Sequence, residues 1–243
     1  TPLLCSSGVT DLSLEPFLVR EGAVVSAPRY LQTSPEYAMK RLLAAGSGPI
    51  YQISRAFRDG EVGARHNPEF SILEWYRPEF SHHDLMAEVA DLVCSCLGPQ
   101  VVEKISYRDL FLQQLDLDPF SASVIELQAC AQAHIDTGNL AGSTDMWLEL
   151  LMSHVIEPQL LQRGVLFVYD YPASQAALSR IVKPGDVELG QRFELYVNGL
   201  ELANGYYELI DGLEQQARFE DDNVQRHNRG LAEHALDPLL MAA

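Results

Sequence analysis

The sequence predicts an α+β fold, a mixed but mostly antiparallel sheet flanked by helices. Three observations predict it. Alternating segments at 50–58 and 70–76 bracket a polar loop, the stretch 105–162 is mainly helical in pattern, and strands return at 164–171 and 191–210. The last of these carries the clearest turn in the chain, Asn198-Gly199 between two alternating runs.

Taken in order, the first element is a helix over 34–45. Ser34 is its expected N-cap, Pro35 its first helical position and Glu36 part of its first turn, while Tyr37, Met39, Leu42 and Leu43 lie mostly on one face and Gly46 stops it. In the hairpin that follows, alternation separates Phe70, Ile72, Glu74 and Tyr76 from Glu69, Ser71, Leu73 and Trp75. Both faces carry large apolar groups, so the hairpin is expected to be central. Its polar loop, 59–67, is longer than a turn requires and is a functional candidate for that reason. Leu85, Val89, Leu92, Val93 and Cys96 recur at helical spacing, with Asp84 as the expected N-cap and Gly98 as the stop. The helical middle breaks near Asp118-Pro119 and Thr137-Gly138-Asn139, and the buried strand that follows is interrupted by Asp170. No repeat, low-complexity tract or Gly/Ser-rich linker divides residues 1–243, which therefore read as a single domain.

Composition narrows the function. The 243 residues hold 34 acidic against 17 basic side chains, a formal charge of -17. Phosphate binding draws affinity from clustered Lys and Arg, so nucleic acid is not an expected partner of the surface as a whole. A hydrophobic share of 47% excludes disordered and fibrous classes. No apolar run approaches the roughly 18 residues of a membrane span, so no membrane partner is expected. The start, Thr1-Pro2-Leu3-Leu4-Cys5, has neither a secretory signal nor an initiator Met, which implies processing or a longer parent chain. Cys5, Cys94, Cys96 and Cys130 are too scattered for a disulfide scaffold. They are expected to be buried reduced thiols in a cytoplasmic protein. His82, His83 and His154 lack metal-ligand spacing and are expected at the surface or as caps.

Carboxylates in the last hairpin carry the chemistry. A two-residue turn at Asn198-Gly199 pairs Val197 with Leu200, Tyr196 with Glu201 and Glu194 with Ala203, which makes Glu194 and Glu201 diagonal neighbours on one face. Such a pair either lies on a solvated face that tolerates Glu or repels until a cation sits between, and Mg²⁺ with one or two carboxylates plus substrate phosphates suits the second reading. Beyond it, Ala203-Asn204-Gly205-Tyr206-Tyr207-Glu208 adds an amide and a third carboxylate. Asn204 shares the face of Glu201 only if the strand is distorted, and Gly205 is the expected place. In the first hairpin, Arg58 ends the rising strand while Arg65, His66 and Asn67 close the loop. These cations either meet an anionic ligand or balance Asp59, Glu61 and Glu69.

Four segments resemble a known family. They are Thr33-Ser34-Pro35-Glu36-Tyr37-Ala38-Met39-Lys40-Arg41-Leu42-Leu43, then Phe57-Arg58 through Arg65-His66-Asn67-Pro68-Glu69-Phe70-Ser71-Ile72-Leu73-Glu74-Trp75-Tyr76, then Arg192-Phe193-Glu194 and Glu201-Leu202-Ala203-Asn204-Gly205-Tyr206-Tyr207-Glu208. The chain resembles the class II lysyl-tRNA synthetase catalytic core over nearly its whole length. Within that family it is most similar to the stand-alone paralogs that ligate (R)-β-lysine to elongation factor P, on the strength of Ser34 before Pro-Glu, of Gly46-Ser47-Gly48-Pro49, and of Leu73-Glu74-Trp75-Tyr76-Arg77-Pro78.

The resemblance implies a class II synthetase-like core that uses ATP and Mg²⁺, a lysine-like amino acid and elongation factor P as partners, and a homodimer in the full-length protein. By position, it gives Arg58 a catalytic role on the α-phosphate and puts His66, Asn67, Glu201 and Leu202 against ATP. Phe70 would stack on adenine. Glu194 and Glu201 would hold Mg²⁺, and Ser34, Pro35, Glu36, Tyr76, Asn204 and Glu208 would line the amino-acid pocket, with Glu36 and Glu208 facing ammonium groups. Two features depart from the family: Gly60 stands where it has an acidic residue, with Glu61 next, and the chain is expected to lack most of the first motif and all of the third. A synthetase-type core for α-lysine and a non-catalytic paralog that binds a ligand or partner remain open beside the ligase.

Overall fold

The computed structural model describes residues 1–20 and 28–243. Its strands are β1 (Leu4–Cys5), β2 (Leu18–Val19), β3 (Arg29–Leu31), β4 (Ile50–Phe57), β5 (Glu69–Tyr76), β6 (Val102–Ser106), β7 (Val165–Pro172), β8 (Ile181–Val182), β9 (Leu189–Val197) and β10 (Leu200–Tyr206). Its α-helices are α1 (Glu36–Ala44), α2 (His82–Leu97), α3 (Tyr107–Leu115), α4 (Val124–His134), α5 (Thr144–Leu151), α6 (Gly212–Asn228) and α7 (Pro238–Met241). The chain forms two compact units, Thr1–Glu79 with Ile210–Ala243, and Phe80–Leu209.

In the first unit, α1 begins one residue later than expected. Pro35 is the N-cap rather than the first helical residue, and Ser34 Oγ accepts the Glu36 N–H at 3.2 Å, so Ser34 still caps, from one position further out. At the other end Gly46 takes φ +87° while its N–H reaches Leu43 O at 2.9 Å and the Ser47 N–H reaches Leu42 O at 3.1 Å. That pair of bonds satisfies the last carbonyls and ends the helix as expected. Of the apolar face only Met39 is buried, and Leu42 is exposed. Strands β4 and β5 pair from Ile50↔Tyr76 to Phe57↔Glu69.

The hairpin is not central. β4 and β5 form a two-stranded sheet of their own, with Tyr51 75% and Ile53 69% exposed. The reason lies in β4, where Ile50, Gln52, Ser54 and Ala56 take the covered side and leave Tyr51, Ile53 and Arg55 on the other. The same unit holds a small sheet ordered β1-β3-β2 and the C-terminal helices, with Tyr37 against Phe219 and Arg41 3.4 Å from Asp237.

The second unit contains the main sheet, ordered β10-β9-β7-β6, with β8 on β9. Only β6 and β7 are parallel, so the sheet is mixed and mostly antiparallel as predicted. Strand β6 falls partly inside the stretch read as helical. It is five residues long and its parallel partner lies beyond α3, α4 and α5, so nothing local marks it. Those helices cover one face of the sheet around Tyr107, Phe111, Leu127, Trp147 and Leu151, packed on Leu166 and Val168 of β7.

Three smaller expectations need correction. The N-cap of α2 is Ser81, in a reciprocal capping box with Asp84, because a Ser three residues ahead of an acid can satisfy two orphan donors where Asp84 alone satisfies one. His82 is 2% exposed, with Nε2 3.0 Å from Asp170 Oδ1, and is no surface residue. Asp170 sits at φ +59° in a register shift of β7, which turns its carboxylate out of the strand alternation. The four cysteines are free as expected, but none is buried: Cys96 is exposed, and Cys5, Cys94 and Cys130 are half-buried. No helix among the described residues is long and apolar enough to cross a membrane.

Candidate functional site

The expected site residues divide between the two units. In the first, the hairpin and the start of α1 hold Ser34, Pro35, Glu36, Arg58, His66, Asn67, Phe70 and Tyr76. Arg58 follows β4, and its N–H donates to Pro68 O at 2.9 Å, closing the loop. Its guanidinium lies 5.0 Å over the Phe70 ring, donates to Thr33 O at 3.4 Å, and stands 3.7 Å from Glu61. Phe70 and Arg58 therefore act as one surface, a flat aromatic face with a forked cation on it.

Gly60 has φ +79°, a conformation an acidic side chain adopts at a cost, and the carboxylate that reaches Arg58 comes from Glu61. Of the two readings of these cations, the structure shows charge balance at Arg58, by Glu61. His66 and Asn67 are exposed on the loop, where the Gly63 N–H donates to His66 O at 3.1 Å. Glu36 is half-buried and accepts from Lys40 at 2.7 Å. Tyr76 donates its hydroxyl to Glu74 at 2.8 Å. The Glu36–Lys40 ion pair is not among the expected contacts, although its i,i+4 spacing could have shown it.

In the second unit, β9 and β10 hold Glu194, Glu201, Leu202 and Asn204, and Glu208 follows directly. The turn forms as expected, with Asn198 and Gly199 both at positive φ and Val197↔Leu200 and Tyr196↔Glu201 in register. The expected distortion exists in a different place. The register shifts between Glu201 and Ala203, so Leu202 is the extra residue, Ala203 faces Leu195, and Glu194 faces Asn204 rather than Ala203. A glycine is not needed for this bulge, because Leu202 is exposed and can leave the ladder without giving up core packing. Gly205 is used otherwise, as its lack of a Cβ makes room for Phe193. The outcome is the one the chemistry requires: Glu194, Glu201 and Asn204 share a face.

Glu194 is held by residues the sequence reading passed over. Arg192 Nη2 donates to Oε1 at 2.6 Å, while the Tyr171 and Tyr196 hydroxyls donate to Oε2 at 2.7 and 2.6 Å. Arg192 also donates to Gln175 O at 2.8 Å and lies 4.5 Å over the Tyr171 ring. Burial opposes the Arg192 charge, but Glu194, Tyr206, Tyr171 and Glu201 around it together outweigh this and raise its pKa. Burial, and then Glu194, push both tyrosines well above the phenol range, so they remain donors. Arg192 and Glu194 alternate on one strand face, which is the signal that could have found the pair.

A carboxylate offers about four acceptor positions. Arg192 and the two tyrosines use three, which leaves one position on Glu194 Oε1, and the exposed Glu201 lies on the same sheet face. This donor set fits Mg²⁺ held by one or two carboxylates with substrate oxygens completing the shell. It does not fit an all-protein cage, and no group of three or more acidic, His or Cys side chains able to hold a metal occurs among the described residues. Glu208 is half-buried, bridges to Ser179, and accepts on its carbonyl from Arg180 Nε at 2.9 Å, with Arg180 4.2 Å over the Tyr207 ring.

The family model for tRNA synthetases class II (D, K and N) matches residues 1–239, and so runs through both units. The chain belongs to that class II tRNA synthetase family. Among curated class II relatives, the elongation factor P–(R)-β-lysine ligase of Yersinia enterocolitica is 46% identical over 249 residues, covering 100% of this chain and 76% of that protein. Those of Edwardsiella ictaluri and Yersinia pestis match with the same identity and coverage. The resemblance noted in the sequence is thus shown both for the class II family and for its ligase branch.

Proposed function

We propose that this chain is an ATP-dependent ligase that activates (R)-β-lysine as an adenylate and transfers it to a lysine side chain of elongation factor P. The observation that carries the reading is the bulge at Leu202, which brings Glu194, Glu201 and Asn204 to one sheet face in a chain 46% identical throughout to proteins named for this reaction. The same reading makes the protein cytoplasmic and, at full length, a homodimer with one catalytic domain per chain.

In the reaction, a carboxylate oxygen of the amino acid attacks the α-phosphorus of ATP, the bond to the bridging oxygen breaks, and pyrophosphate leaves. Arg58, oriented by Thr33 and Glu61, meets the charge that grows on the α-phosphate. Phe70 offers its ring to the adenine, and His66, Asn67 and Leu202 border the nucleotide. Glu194 and Glu201 would hold Mg²⁺, which when bound neutralises the ATP phosphates. Ser34, Pro35, Tyr76 and Asn204 contact the amino acid, while Glu36 and Glu208 accept from its ammonium groups. The ε-amine of the acceptor lysine then attacks the mixed anhydride carbonyl, losing a proton as AMP departs. No protein nucleophile is required, because positioning and electrostatics lower the barrier.

Pyrophosphate exchange into ATP, driven by α-lysine or (R)-β-lysine, tests the reading. Preference for the β isomer supports it. Preference for the α isomer points to a synthetase-type core, and absence of exchange with both points to a non-catalytic paralog; either result refutes it.

A further inference from the structure

Outside the set of expected site residues, α6 carries a fully buried arginine. Arg226 is 0% exposed, and every one of its donors has a partner in the same compact unit. Its Nε donates to Ala232 O at 2.6 Å, Nη1 to Asp11 O at 2.8 Å and Leu14 O at 3.3 Å, and Nη2 to Glu15 Oε2 at 2.5 Å, with His234 Nε2 3.2 Å away. Glu15 is the junction. While its carboxylate accepts from Arg226, its carbonyl accepts the Asp59 N–H at 2.7 Å. Asp59 is the first residue of the polar loop and follows Arg58 directly.

A planar fork with five donors fixes the direction of what it binds, as an ammonium on a flexible stem does not. Two stretches of chain, 11–15 and 232–234, converge on this one side chain, and Glu15 in the first of them grips the loop at its entry. The space is made deliberately tight: a Cβ on Gly8 would stand 2.4 Å from His234 Nδ1, so only glycine lets that ring lie beside the guanidinium.

We infer that Arg226 is a positioning residue for the nucleotide loop, setting the entry of loop 59–67, and so the direction of Arg58, through Glu15. The inference rests on the reading of that loop as the ATP contact. Arg226 itself touches no substrate.

The test uses the full chain with Arg226→Lys and, because a buried arginine can be needed for folding, the half-exposed Glu15→Ala. Two readouts are taken: the rate of tryptic cleavage after the exposed Arg65, and KM for ATP against KM for the amino acid in pyrophosphate exchange. Both variants are expected to be cleaved at Arg65 several-fold faster and to raise KM for ATP about tenfold while the amino-acid KM stays within about twofold, as a misplacement confined to one ligand would do. Unchanged cleavage and unchanged KM for ATP in folded variants overturn the inference. So does a parallel rise of both KM values with a lowered Tm, which marks a merely structural residue. If the unaltered chain shows no exchange, the proposed function fails, and the Arg65 cleavage ratio still decides the coupling.

Discussion

Gly205→Ala probes the strand pair that carries the site. Gly205 lies directly opposite Phe193, and an added Cβ would stand 2.4 Å from Phe193 Cζ, 2.6 Å from Cε1 and 3.2 Å from Leu85 Cδ2. Carbon contacts are favourable near 3.5–4.0 Å, so the ring or the strand must retreat by roughly 1 Å. The ring has nowhere to go, being buried and packed edge-on against Phe167 at 5.4 Å. Overpacking of this kind costs about 1–3 kcal/mol. Gly205 is not among the glycines at positive φ, so the whole effect is steric. In urea, the midpoint should fall by that amount divided by m, with m unchanged, and pyrophosphate exchange should fall with it because Asn204 is carried on the displaced strand. A change within about 0.5 kcal/mol, the range of ordinary surface substitutions, with full exchange would refute the packing argument. Gly60→Ala makes the contrast, since nothing lies within 4 Å of its Cβ but its φ is +79°, and it should cost about 1–2 kcal/mol through the backbone alone.

Other outcomes follow from the same contacts. Glu201→Gln should reduce exchange by about 10²–10³-fold at unchanged stability, because Glu201 is exposed; Glu194→Gln should also cost about 3 kcal/mol, leaving Arg192, whose side chain is only 13% exposed, without its counter-charge, and urea melts with exchange rates separate the two. Ser81→Ala removes a capping box from α2 and should lower stability by about 1 kcal/mol in the same melts. Burial and the Arg226 guanidinium hold His234 below its ordinary pKa of 6.5, so the unfolded chain takes up a proton first as pH falls. The stability this contributes is therefore complete above pH 6.5 and is lost as the pH drops from there to the folded-state value, and His234→Asn should flatten that part of the stability curve.

Elements with local signals were legible in the sequence. The Asn198-Gly199 turn, the Gly46 and Gly98 stops and the pairing near the last turn all depend on residues within a few positions of one another. Strand β6 was not legible because its partner lies across three helices, and the exposure of Tyr51 and Ile53 was not because apolar residues on both faces do not say which face is covered. For the candidate site, the shared face of Glu194, Glu201 and Asn204 could be required from chemistry, yet its cause was misplaced. Gly205 looked like the weak point of β10, whereas the strand yields at Leu202, an exposed side chain, and keeps Gly205 for the contact with Phe193. The tyrosines around Glu194 come from β7 and β9, and only the folded sheet joins Tyr171 to that carboxylate.

The most direct measurement is the intact mass of elongation factor P after incubation with the full chain, ATP, Mg²⁺ and (R)-β-lysine. The account predicts a gain of one β-lysyl group on a single lysine, abolished by Glu201→Gln. Unmodified elongation factor P, with lysine appearing on tRNA instead, would contradict it.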